Sequence, residues 1–157
     1  MQSIALSAEA TSLVSMTPQE LKKALISAGH EVFRTLGQEI VLADRARENL
    51  VLDSGVRVRV HDDGGFEVRV ILGMRKSLHP TDAESVLYDR IRELAKDLSS
   101  DGFIEAHAAP RSIPDPADAA KTLDTFCEVI FTKRVDSLDA PAIRLALLTA
   151  KTAESRH

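Results

Sequence analysis

The sequence predicts an α+β fold: helix, β-hairpin, helix, two further strands, helix, with a small, mainly antiparallel sheet covered by helices. Two observations carry this expectation. The runs Val56-Arg57-Val58-Arg59-Val60 and Phe66-Glu67-Val68-Arg69-Val70 alternate apolar and polar residues around the turn His61-Asp62-Asp63-Gly64-Gly65. Period two on both sides of a Gly-containing turn defines a hairpin with one dry and one wet face. On either side of it, apolar residues recur at three- and four-residue spacing behind helix-start signals.

Residues 1–15 are rich in Ser, Ala and Thr with scattered apolar residues, which reads as a flexible N-terminal arm ahead of a single domain over 16–157. Thr17-Pro18-Gln19-Glu20 is a helix start, with a Thr cap, Pro at the first helical position and Glu three residues on. Leu21, Leu25, Val32, Phe33, Leu36, Ile40, Ala43 and Leu50 continue at helical spacing, interrupted by Gly29 and Gly37. One bent helix, two helices meeting near Glu31, or a short strand at Glu39–Arg45 all satisfy that pattern, since Ile40-Val41-Leu42-Ala43 is apolar on every side.

After the hairpin, Thr81-Asp82-Ala83-Glu84 reads as a second capping box. It opens a helix with Leu87, Ile91, Leu94 and Leu98 on one stripe and charged residues opposite, ending at Ser99–Gly102. Phe103–Ala108 reads as a strand. Ala109–Thr122, with Pro110, Pro114 and Pro116, reads as a long loop. Leu123–Val135 is a second strand, apolar on both sides over Phe126–Phe131, and Ile143, Ala146, Leu147 and Ala150 mark the inward stripe of a final helix. Leu87, Ile91, Leu94, Val58, Val68, Val129 and Phe131 are the expected core.

With 157 residues, 44% apolar and 28% charged, the chain has ordinary globular composition. It holds no Trp, one Tyr and five Phe, so Val, Leu, Ile and Ala must fill the core and few aromatics remain for stacking bases. The net charge of −4 argues against nucleic acid as a partner. Residues 45–76 nevertheless carry an excess of Lys and Arg, and residues 77–157 an excess of Asp and Glu. The single Cys127 excludes an intramolecular disulfide, and it alternates with Val129 and Phe131 as a buried thiol would. With no signal-like start and no run near ~20 apolar residues, the expectation is a cytoplasmic protein with no membrane partner.

No phosphate cradle, zinc spacing or nucleophile elbow occurs, so no cofactor and no metal is expected. His61-Asp62-Asp63 is turn material. Glu105 and His107, two apart on an expected strand, would share a face near Glu128, the minimum for general-base chemistry in a small hydrolase-type enzyme. The candidate binding residues are Arg57, Arg59, Arg69, Arg75 and Lys76. Pairing Val60 with Phe66 would set Arg59 opposite Glu67 and Arg57 opposite Arg69, and such a like-charged pair suits an anionic partner.

The element order, small size and acidic balance are similar to those of secretion-chaperone-like domains, a likeness of architecture without a shared motif. The reading that follows is a non-catalytic accessory or adaptor protein acting through protein–protein contacts. It would be chaperone-like or a small component of a phage-tail or injection-type assembly, with a protein partner and possible homo-oligomer formation. The alternatives are an anion or nucleic-acid binder using the Arg face, and an enzyme using Glu105 and His107.

Overall fold

A computed structural model of the chain describes residues 16–154; the expected arm, 1–15, lies outside them. Helix α1 (Pro18–Ser27) starts as its residues dictate: the Glu20 amide donates to Thr17 Oγ1 at 3.2 Å, and the Thr17 amide donates to Glu20 Oε1 at 3.1 Å. The chain then departs from the longer helical readings. Val32–Leu36 (β1) and Glu39–Arg47 (β2) pair as an antiparallel hairpin turned at Gly37, whose φ is +62°. The strand alternative is therefore the one realised, and it is longer than expected. Ile40 and Leu42 join the helix-side core, and Val41 is buried on the opposite face between Arg34 and Arg57, so this stretch is apolar on both sides.

Strands β3 (Leu50–Val60) and β4 (Phe66–Arg75) form the hairpin in the register its alternation implies, with Val60 opposite Phe66, Arg59 opposite Glu67 and Arg57 opposite Arg69. The His61 amide closes the turn on the Gly65 carbonyl at 3.0 Å. A 3-10 turn (Lys76–Leu78) leads to α2 (Glu84–Leu94) and the short α3 (Lys96–Ser100), separated at Ala95, where a single helix was expected. The second capping box does not form. Ala83 precedes the helix without a side-chain cap, and Asp82 instead accepts from Arg90 Nη1 at 2.8 Å.

The expected loop over 109–122 is also a correction. Strands β5 (Ile104–Asp115) and β6 (Asp118–Val135) continue through it as one long hairpin. Pro110 and Pro114 fit because β5 is an edge strand, where a missing amide donor costs no ladder bond on the solvent side. Asp115-Pro116-Ala117-Asp118 makes the turn, with the Ala117 amide donating to Asp115 Oδ1 at 2.9 Å. The last helix is α4 (Pro141–Glu154).

All six strands lie in one sheet, in the order β1-β2-β3-β4-β6-β5, with every neighbouring pair antiparallel. The α+β class stands, with a hairpin more than the expected order contained. Helices cover one face. Leu21, Leu25, Leu87, Ile91, Leu98, Ile143 and Ala146 pack with Val58, Val68, Val70, Val129 and Phe131 in a single apolar cluster. At about 25 cal/mol per Å² of apolar surface removed from water, this one-sided cluster is the main stabilising term. Of the expected core only Leu94 is half-buried rather than buried.

Candidate functional site

The face opposite the helices is built by the polar half of the same alternation. One register row crosses all six strands: Ile104, Thr132, Arg69, Arg57, Val41 and Arg34 stand side by side from the β5 edge to the β1 edge. Ile104 is 70% exposed at one end, whereas Val41 is fully buried between Arg34 and Arg57. A second row holds Arg59 opposite Glu67 and Glu67 opposite Arg134.

Of the residues singled out from the sequence, two are committed within the sheet. Arg59 Nε donates to Glu67 Oε1 at 3.0 Å, and Arg69 Nη1 reaches over β3 to Glu39 at 3.0 and 3.2 Å. Lys76 points away into the turn after β4, where Nζ donates to the carbonyls of His79 and Asp82. Arg57 differs. Its Nη2 is 3.7 Å from Asp53 Oδ2, an ion-pair distance too long for a hydrogen bond, and its buried Nε has no partner. Arg75 is exposed and makes no hydrogen bond or ion pair among the described residues. The structure thus separates two guanidiniums used to hold the sheet from two that are not.

The expected Glu105–His107 pair does not exist. A bulge between them sets Glu105 opposite Phe131 and His107 opposite Ile130, on opposite faces of the sheet. Glu105 accepts from Arg92 of α2 at 2.8 and 3.2 Å, and those bonds hold its carboxyl below the usual carboxylate range. Glu128 accepts from Arg111 Nε at 3.1 Å. Cys127 is fully buried, and burial pushes its thiol up. Burial first, then the neighbouring thiol, pushes the Tyr88 hydroxyl up to about 12. Among the described residues no group of three or more His, Cys, Asp or Glu side chains is placed to hold a metal ion.

Sequence reasoning missed a notch where β3 leaves β4. Their pairing ends at Val56 opposite Val70, whereas β4 and β6 stay paired to Arg75 opposite Phe126. The cause is local. Gly55, at φ +82°, and the turn in which the Gly55 amide donates to Asp53 Oδ1 at 2.7 Å shift the register of β3. Beyond that point β2–β3 diverges from β4, while β5–β6 runs on past the end of β4. A cleft of about 570 Å³ opens between them, lined by Asp53, Gly55, Arg57, Ile71, Phe126 and Glu128 and reaching Ala150 and Ala153 of α4. The Phe126 ring lies over Gly73, and the Arg111 guanidinium stands 5.1 Å from the ring centroid. The Gly55 in Asp53-Ser54-Gly55, inside an otherwise strand-like run, was the signal for this break.

No protein-family model, no curated protein and no solved structure matches the chain.

Proposed function

We propose that the protein is a non-catalytic accessory module that binds a protein partner through the outer face of its sheet. The observation that carries this reading is the one-sided architecture: every helix packs into the inner core, and the outer face keeps a six-strand row ending in the exposed Ile104. Arg57, Arg75 and the apolar Ile71 and Phe126 give that face the mixture of guanidinium, aliphatic and aromatic surface that protein interfaces use. A chaperone-like holder of partly folded segments, or a small component of a larger assembly, would present such a surface.

The anion-binding alternative draws less support. Arg59 and Arg69 are neutralised by Glu67 and Glu39, and Arg111 by Glu128, so the face offers few free cations for counterion release from duplex DNA.

The test uses the double substitution Ile104→Glu, Thr132→Glu in the full chain, expressed in the cells that naturally make the protein. Both side chains sit in the outer row, so the fold should keep its melting temperature within a few degrees. Co-purification with mass spectrometry, with light scattering for copy number, is expected to show a defined partner or second copy on the parent and its loss from the variant. The same associated species and mass on both would overturn the reading.

A further inference from the structure

Arg57 occupies an unusual position in the notch. A guanidinium has five N–H donors, and Arg57 places none of them in a hydrogen bond among the described residues. Its nearest carboxylate, Asp53, spends Oδ1 on the Gly55 amide and holds Oδ2 at 3.7 Å. A buried donor left without an acceptor costs free energy that an incoming carboxylate would remove. Arg75, on the stretch of β4 that passes the notch, is a second guanidinium with no hydrogen bond or ion pair among the described residues; the Asp124 carboxylate interacts with it only at longer range and is held by Ser77 and the Thr125 amide.

Beside these guanidiniums runs a strand with a partner on one side only. Leu72, Gly73, Met74 and Arg75 pair with β6 at Val129, Glu128, Cys127 and Phe126, but β3 has turned away on the other side. Strand edges of this kind accept an added strand. Pro, Lys or cover commonly protects such edges; the outer strand β5 has Pro110 and Pro114, whereas Leu72–Arg75 has neither Pro nor Lys, and its buried Gly73 lies beneath the Phe126 ring, a side chain that can swing aside.

We propose that the notch receives an extended, acidic segment of a partner protein, which adds as a strand along Leu72–Arg75 and sets carboxylates against Arg57 and Arg75. This deepens the protein-binding reading and rests on it. Main-chain pairing supplies the register, and Ile71 and the Phe126 ring supply apolar contact on the outer side. The two guanidiniums then select acidic over basic sequences.

The experiment selects from a randomised nine-residue peptide library displayed on phage, using the full-length protein and, in parallel, its Arg75→Glu variant. The tightest peptide is then titrated by fluorescence anisotropy against parent, Arg75→Glu and Arg57→Gln. Hydrogen exchange is measured on the parent with that peptide bound. The expected result is enrichment of Asp/Glu-containing peptides without internal Pro, at least tenfold weaker binding to each variant, and slowed exchange of the Leu72–Arg75 amides. Failure to enrich, affinity unchanged by both substitutions, or protection confined to β1 or β5 would each overturn the proposal. The effect of Ile104→Glu, Thr132→Glu on the natural partner is read separately. Its loss there, together with failure in the notch, would leave the outer-face reading standing without the strand addition.

Discussion

Gly55 and Gly73 are the positions where the notch depends on having no side chain. A Cβ on Gly55 would stand 2.9 Å from the Ile71 carbonyl oxygen, and the residue holds φ at +82°. Both the clash with backbone and the left-handed conformation oppose any L side chain. Gly55→Ala should therefore cost about 1–3 kcal/mol in chemical denaturation. Gly64→Ala, also at positive φ but with nothing within 4 Å of its Cβ, should cost less. Equal losses would show that the approach of Gly55 to β4 is not tight. At Gly73 the obstacle is the Phe126 ring, a side chain that can swing, so substitution there would change the shape of the notch.

Glu105 shows how a residue with the right chemistry in the sequence acquires another role in the fold. Its carboxyl is held below the ordinary range chiefly by the hydrogen bonds from Arg92. A carboxyl lowered on folding contributes stability above its unfolded pKa and loses it as pH falls through the folded value. The melting-temperature gap between the parent and Glu105→Gln should be present near about pH 6 and close as pH falls below about pH 4. A gap unchanged into acid would mean the pair with Arg92 adds nothing to stability.

At the scale of elements, the β3–β4 hairpin was legible down to its register because alternation and a Gly-Gly turn act locally. The β1–β2 hairpin was ambiguous because Ile40–Leu42 are buried on both faces, which erases the period that separates strand from helix. The β5–β6 arm was misread because Pro110 and Pro114 break strands in general but are tolerated at an edge, and edge position is a property of the whole sheet. Residues 112–125 of this arm pair only with each other, and those over 112–123 are mostly exposed. A two-stranded ribbon with no covering layer is marginally stable in water. Its amides, from Ala117 to Leu123, should exchange well before those of Val68–Leu72 in β4. Equal protection would mean that something covers the arm, a second copy of the chain being the first candidate to examine by light scattering.

At the scale of the molecule, the candidate site was only half legible. Arg57, Arg59 and Arg69 were placed on one face from alternation alone, and they share it. Which of them are free could not be read locally, since Glu39 reaches Arg69 from a strand that the sequence left ambiguous. The notch itself needs β3, β4, β6 and α4 together. What the assembled fold presents is a helix layer on one side and an open strand face on the other. The direct measurement places a photo-crosslinking amino acid at Thr132 on the outer face or at the exposed Arg144 on α4, in the full chain inside the cells that naturally make it. A defined crosslinked species from Thr132, absent from Arg144, is the expected result. The same species from both positions, or from Arg144 alone, would contradict a binding role for the outer face.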